Sequence, residues 1–244
     1  MRPHTFRRVP YAAALAFLAT CSAPLHPAHG PDTERLHAVS LRPALITRAA
    51  WHADQKDVRG GLLYDASATA VFVHHTDNPN AYTCGTDVPA MLLALEQRHI
   101  ALGWDDLGYN FVVDRCGGIY EGRTGSADRD VRGAHTEGFN AGTVGIAALG
   151  TFGPGQIPPR PMLQSIAAIA AWKLAPGVNP LGQVRLVSSS DDSRYPKGTA
   201  VQMNVISGHR DAYQTDCPGQ SLYDDLPWIR QTAARLREQA ARDG

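Results

Sequence analysis

The sequence lacks an excess of charge of either sign, because its 23 Lys and Arg residues are balanced by 23 Asp and Glu residues. Without a net field the chain has no bulk attraction to nucleic acid or anionic lipid, so neither is expected as a partner. It also lacks an internal repeat and, after its N-terminal segment, any apolar run long enough to cross a membrane. Its 244 residues, 43% of them hydrophobic, predict one globular domain that acts as a monomer.

The N-terminal segment differs in composition from the rest of the chain. Arg7 and Arg8 precede an apolar stretch over residues 11–19, and small residues suited to cleavage follow it. This pattern predicts a signal peptide over residues 1–30 and secretion to the extracellular space or the cell wall. The residues around Cys21 also resemble a lipoprotein processing site, which leaves acylation of Cys21 as the less favoured alternative.

The remainder divides into a linker and a domain. Residues 31–45 are polar and interrupted by proline, so we expect a mobile linker. Strand and helix patterns then alternate over residues 46–240, which predicts an α/β domain. Strands are expected at 70–73, 110–113, 118–121, 143–149 and 201–207, and helices from residue 86, over 161–174 and from residue 227. The first of these strands is continuously apolar, as in a strand buried on both faces, and ends at His74.

Cysteine is scarce, and removal of the leader leaves Cys84, Cys116 and Cys217. Disulfides persist in secreted proteins, so an odd number predicts one bridge and one thiol with another role. Cys84 and Cys116 lie in turn-rich segments that permit disulfide geometry, and we expect them to pair. Cys217 then stays unpaired.

His74, His209 and Cys217 are candidate zinc ligands. Both histidines follow apolar strands, where open α/β sheets build their sites, and Cys217 is eight residues beyond His209. Catalytic zinc takes three ligands of these types and leaves a fourth position open. The spacing alone does not define a metal site, because a histidine can cap a strand and a lone cysteine can simply fill the core.

Five motifs occur in an order that resembles the peptidoglycan recognition proteins and the related type 2 N-acetylmuramoyl-L-alanine amidases. They are Val71 to Thr76, Gly103 to Phe111, Ile119 to Arg123, Gly133 to Thr136, and Gly208 to Asp211 with Cys217 to Gly219. The extended leader, the placement of Cys84 and Cys116, and the helix ending over residues 171–174 resemble secreted actinobacterial members. The resemblance covers nearly all of residues 46–230. It implies a single α/β domain with a mixed central β-sheet flanked by helices and a zinc site in a surface groove.

The resemblance also implies the roles of individual residues. One zinc ion per chain would be held by His74, His209 and Cys217, and Tyr109 and Thr215 would face the reacting carbonyl and the attacking water. The candidate contacts to glycan and stem peptide are His135, Thr136, Trp104, Arg123 and Asn140. Among these, the guanidinium of Arg123 suits bidentate capture of a peptide carboxylate, whereas Trp104 is equally compatible with core packing.

The implied reaction is hydrolysis of the amide bond between N-acetylmuramic acid and L-alanine in peptidoglycan. The leaving nitrogen needs a proton, for which Tyr109, His135 and a relayed water are candidates. Glu121 is expected to form a structural ion pair with Arg123 or Arg210. A non-catalytic peptidoglycan-binding module, a cysteine hydrolase and a structural zinc site remain as alternatives.

Overall fold

The structure, a computed structural model, describes residues 41–53 and 55–243. The predicted signal peptide, Cys21 and most of the predicted linker lie outside the described residues. Leu41 and Leu45, at the end of that linker, pack against a core cluster of the domain. In the described part of the chain, no helix is long and apolar enough to cross a membrane.

Strands and helices alternate along the chain. The strands are β1 (Ala70–His75), β2 (Phe111–Val113), β3 (Ile119–Glu121), β4 (Thr143–Ala148), β5 (Gln183–Val187), β6 (Ala200–Asn204) and β7 (Ile206–Gly208). The α-helices are α1 (Val88–Ala101), α2 (Arg160–Lys173), α3 (Gln220–Asp224) and α4 (Leu226–Asp243). Short 3-10 helices cover Arg48–Trp51 and His209–Asp211.

Five strands form the central sheet in the order β3-β2-β4-β1-β7. Strand β1 pairs in parallel with β4 and β7, β2 pairs in parallel with β4, and β3 is antiparallel to β2. The predicted mixed sheet is therefore confirmed. Because Val73 is paired with Gly208, the residues that follow them, His74 and His209, become neighbours at the carboxyl edge of the sheet.

The two faces of the sheet are covered by different layers. Val71 and Val73 point to the face covered by α2 and α4, where they join a cluster containing Ile166 and Ile229. Phe72 lies in a separate cluster with Phe139. Since successive strand residues point to opposite faces, His74 shares the face of Phe72. The alternation of β1 thus directs His74 away from the helical layer of α2 and α4.

The predicted strand over residues 201–207 is wrong, because the structure divides it at Val205. Strand β6 pairs with β5 in a separate two-stranded sheet, and β7 joins β1 in the central sheet. The backbone of Val205 bridges the two parts, since its N–H donates to Gly182 and its carbonyl accepts from Val71. Strand β5 was not expected, because its short alternating pattern carries little hydrophobic signal.

The predicted disulfide between Cys84 and Cys116 is confirmed, with an S–S distance of 2.13 Å and a Cα–Cα distance of 6.3 Å. It joins the loop before α1 to the turn between β2 and β3. Cys217 is buried and is the free cysteine of the described residues. Among the described residues, the thiol without a bridge is thus the one proposed as a metal ligand.

Candidate metal centre

His74, His209 and Cys217 converge at the carboxyl edge of the central sheet. One donor atom from each lies within 4.8 Å of the other two, and His74 Nδ1 is 3.8 Å from Cys217 Sγ. Zinc bonds of roughly 2.0–2.3 Å place tetrahedral ligands about 3.3–3.8 Å apart. The three donors therefore fit a zinc ion in both chemistry and spacing.

Other residues hold Nε2 of His74, the ring nitrogen that is not beside Cys217. His74 Nε2 is 3.3 Å from Thr136 Oγ1 and 3.3 Å from His135 Nδ1, and the last two atoms are 2.9 Å apart. Asn140 holds this segment, because its Oδ1 accepts the backbone N–H groups of His135 and Thr136, both at 2.8 Å. Partners of this kind orient a metal-binding imidazole, so Nδ1 of His74 is left to face Cys217.

Burial controls the protonation of the candidate ligands. It is the main cause that lowers the pKa of His74 well below its ordinary value and the pKa of His209 to about 4. Neutral imidazoles have the free electron pair that a metal needs. Burial also raises the pKa of the Cys217 thiol to about 12, so this thiol keeps its proton unless a cation such as zinc binds it.

The three candidate ligands lie between two clefts. The first, here called the Trp104 cleft, has a volume of about 610 Å³, is bordered by His209 and contains Trp104, His135, Thr136, Glu137, Asn140, Asp192 and Tyr213. The second, called the Asp77 cleft, measures about 590 Å³, is bordered by Cys217 and contains His75, Asp77, Thr151, Arg210, Thr215 and Asp216. His209 and Cys217 therefore border different clefts.

Comparison with known proteins identifies the family to which this fold and donor set belong. Residues 64–220, which include all three candidate ligands, match the sequence profile of the family described as N-acetylmuramoyl-L-alanine amidase. The chain belongs to this amidase family. The resemblance noted from the five sequence motifs is thereby confirmed at the level of the family.

Individual relatives of this amidase-family chain are distant. Peptidoglycan-recognition protein SC2 of Drosophila melanogaster is 28% identical over 187 residues, which are 76% of this chain and 86% of that protein. N-acetylmuramoyl-L-alanine amidase of Homo sapiens is 30% identical over 203 residues, which are 82% of this chain but 31% of the human protein. Drosophila PGRP-LB shares the fold, with a TM-score of 0.56, 23% identity, and coverage of 75% of this chain and 92% of that structure.

Tyr109 and Thr215 each lie beside one of the candidate ligands of this amidase-family chain, Tyr109 beside His74 and Thr215 beside Cys217. The ring of Tyr109 is 5.1 Å from the ring of His74, and burial is the main cause that raises the pKa of Tyr109, so its hydroxyl remains a donor. Thr215 Oγ1 accepts the backbone N–H of Cys217 at 3.2 Å, which leaves the hydroxyl proton of Thr215 free to donate. Their roles in a reaction stay predictions.

Trp104 and Arg123 are adjacent but differ in what they contact. Trp104 is 37% exposed, lines the cleft named after it and packs on His99 with ring centres 4.5 Å apart. Arg123 Nη1 donates to the backbone carbonyls of Trp104, at 3.1 Å, and Leu107, at 3.4 Å. The guanidinium therefore holds the segment that carries Trp104, and carboxylate capture by Arg123 stays a prediction.

Sequence reasoning missed two residues that support His209. Tyr213 stacks on the His209 ring with centres 5.3 Å apart and planes 12° from parallel. Asp211 Oδ2 accepts the N–H of Gly208 at 2.9 Å, and its Oδ1 accepts the Tyr223 hydroxyl at 2.6 Å. The three-residue spacing between Gly208 and Asp211 is a local capping pattern that could have identified the second residue.

The expected ion pair of Glu121 is wrong for the part of the chain that the structure describes. Glu121 Oε1 accepts the backbone N–H of Ala127 at 3.1 Å, and no pair with Arg123 or Arg210 is formed there. The turn that follows β3 brings Ala127 back to the carboxylate, while both arginines donate to other acceptors. Glu121 thus stabilises this turn.

Proposed function

We propose that the chain is a secreted, zinc-dependent N-acetylmuramoyl-L-alanine amidase, which hydrolyses the amide bond between N-acetylmuramic acid and the stem-peptide L-alanine of bacterial peptidoglycan. The observation that carries the proposal is the His74, His209 and Cys217 donor set between two clefts in a member of the amidase family. These residues would hold one zinc ion per chain. When bound, zinc supplies a Lewis acid that polarises an amide carbonyl and lowers the pKa of a nearby water toward ~7.

The remaining site residues position the substrate and stabilise charge. Tyr109, whose raised pKa keeps its hydroxyl protonated, donates a hydrogen bond to the oxygen that becomes negative as the carbonyl is attacked. A donor of this kind is typically worth about 2.7–4 kcal/mol. Thr215 orients the attacking water, and the Trp104 cleft receives the stem peptide through Trp104 and Asn140.

Two features favour an amidase over its alternatives. Within the described residues the donor group has three members, whereas structural zinc sites usually fill four protein positions. A cysteine hydrolase that pairs Cys217 with His209 needs these two groups in contact, but the ring nitrogen seen beside the Cys217 sulfur belongs to His74, and burial raises the pKa of this thiol. A non-catalytic binding module would use the same clefts, so only an assay of the reaction separates it.

The decisive experiment incubates the protein with purified peptidoglycan and searches by mass spectrometry for stem peptides with a free N-terminal L-alanine. We expect release by the zinc-loaded protein, loss after chelation, recovery with zinc and loss in Cys217→Ala, with about one zinc bound per chain. Retention of peptidoglycan without release by the zinc-loaded protein would identify a binding module. Release that persists after complete metal removal and in Cys217→Ala would refute the zinc mechanism.

A further inference from the structure

His99 is a buried residue in the last turn of α1. The helix is followed by Gly103, whose φ is 83° and whose N–H donates to the carbonyl of Ile100 at 3.0 Å. The next N–H, that of Trp104, donates to the carbonyl of His99 at 3.1 Å, which completes a Schellman motif. This motif brings the two side chains into contact, and the rings of Trp104 and His99 pack with centres 4.5 Å apart. The end of α1 thus places Trp104 on His99.

The side chain of His99 also holds the other end of the segment that begins at Trp104. Its Nδ1 accepts the backbone N–H of Gly108, the residue before Tyr109, at 3.0 Å. Burial lowers the pKa of His99 to about 4, so at pH 7 the ring is neutral and Nδ1 has the electron pair that this bond requires. The ring of Tyr109 contacts the same imidazole, with centres 5.4 Å apart and planes 70° from parallel. One side chain therefore contacts two residues of the candidate site.

Gly108 is closely packed between these contacts. A Cβ atom at this position would lie 2.5 Å from the carbonyl oxygen of Ala134 and 2.9 Å from the Trp104 ring. The carbonyl of Gly108 accepts the N–H of Ala134 at 2.9 Å, so both peptide groups of Gly108 have fixed partners. Tyr109 follows directly, and its ring centre is 5.1 Å from that of His74. A backbone shift at Gly108 would therefore move Tyr109 relative to the candidate metal centre.

We propose that His99 is a positioning residue for the amide hydrolysis described above; the proposal rests on that function. The hydrogen bond from Gly108 to Nδ1 fixes the backbone before Tyr109, and so places the hydroxyl that donates to the developing negative charge. The His99 ring supports Trp104 at the wall of the Trp104 cleft. The hydrogen bond therefore controls kcat, whereas the ring controls KM.

Substitutions at residue 99 separate the hydrogen bond from the ring, at zinc saturation in the stem-peptide release assay. His99→Phe keeps a ring under Trp104 but removes the acceptor, so kcat should fall by about 10–10²-fold with little change in KM. His99→Asn keeps an acceptor near the place of Nδ1 but removes the ring, so kcat should stay near the wild-type value while KM rises. His99→Leu has the shape of asparagine without the acceptor and should lose kcat. The comparison of asparagine with leucine decides the question even if His99→Phe does not fold.

A role through Tyr109 also predicts that the two residues are coupled. Adding His99→Phe to Tyr109→Phe should lower kcat no further than Tyr109→Phe alone, because the hydroxyl that His99 positions is already absent. If the losses of the two single variants instead multiply in the double variant, His99 does not act through Tyr109 and the proposal is overturned.

Tyr82→Phe is the matched control, because it too keeps a ring and removes the acceptor of a backbone N–H, that of Arg115 at 2.7 Å, outside both clefts. It should keep wild-type kcat and KM. Equal losses of kcat and zinc content in His99→Phe, His99→Leu and His99→Asn would show a merely structural role and overturn the proposal. Wild-type kcat in His99→Phe and His99→Leu would overturn it and leave the amidase function standing. If the wild type releases no stem peptide, both proposals fail.

Discussion

At the scale of single residues, the candidate centre depends on which nitrogen of His74 faces the metal. Thr136 and His135 contact Nε2, and Cys217 lies near Nδ1. Thr136 is a buried residue at the wall of the Trp104 cleft, and its hydroxyl contacts the ring of His74. A residue predicted from sequence as a substrate contact is thus placed to orient a candidate metal ligand.

Replacing Thr136 tests this orientation. Thr136→Val keeps the shape of the side chain but removes the hydroxyl that contacts His74, and loss of such a partner typically lowers metal affinity about 10–100-fold. Competition with a chromogenic chelator should detect this loss. Thr199→Val, at a threonine of the β5–β6 connection, should leave zinc affinity unchanged. Equal affinities in both variants would show that Thr136 does not orient His74.

Replacing Tyr109 tests the hydrogen bond to the developing negative charge. Tyr109→Phe keeps the ring beside His74, so zinc content should not change. We expect kcat for stem-peptide release to fall by about 10²–10³-fold, which corresponds to the loss of one such donor. Tyr64→Phe, at an exposed tyrosine outside both clefts, serves as the control. A fall in zinc content instead of kcat would assign Tyr109 a supporting role.

At the scale of elements, two adjacent parallel strands bring the histidines together. Strands β1 and β7 are far apart in sequence, but their pairing places His74 beside His209, with ring centres 4.4 Å apart. The loop after β7 then returns Cys217 to the end of β1, where the N–H of His75 donates to Cys217 Sγ at 3.3 Å. The backbone of β1 therefore holds the thiol as well as presenting the first histidine.

The disulfide connects the loop before α1 to the turn between β2 and β3. It closes a separation of 32 residues, so in the chain-entropy view the paired substitution of Cys84 and Cys116 by serine should lower the free energy of unfolding by about 3–4 kcal/mol. Urea denaturation measures this change. Thiol labelling of the unfolded, unreduced mature domain gives an independent check, since one reactive cysteine is expected and three would contradict the bridge.

At the scale of the whole molecule, stability depends on polar contacts that join distant loops. Burial raises the pKa of Asp65, but hydrogen bonds from Arg132 and from the N–H of Gly142 outweigh it, so the net pKa lies below the ordinary value. The ionised form of Asp65 is thus favoured by folding. Ionised Asp65 contributes fully to the free energy of unfolding above its unfolded pKa of about 3.9. This contribution disappears as the pH falls through the lower pKa that Asp65 has in the folded protein.

This linkage predicts a pH-dependent effect of Asp65→Asn. At pH 7 the variant should unfold at a lower urea concentration than the wild type, and the difference should shrink as the pH falls below about 4. Asp128→Asn removes an exposed partner of Arg42, so it should change stability little at either pH. A difference for Asp65→Asn that is the same at pH 7 and pH 3 would show that ionisation of Asp65 does not contribute.

The sequence by itself determined most elements of the central sheet and, through the order of its motifs, the choice of candidate ligands. The apolar residues of β1 define a buried strand, the odd cysteine leaves one thiol unpaired, and the order of the motifs indicates the family. The division at Val205, the contact of Glu121 with Ala127 and the position of Asp77 required the tertiary structure. A local sequence pattern reports the periodicity of a single strand or helix. These three features instead depend on the register of the sheet and on the paths of the loops, which bring together atoms that are far apart in the chain.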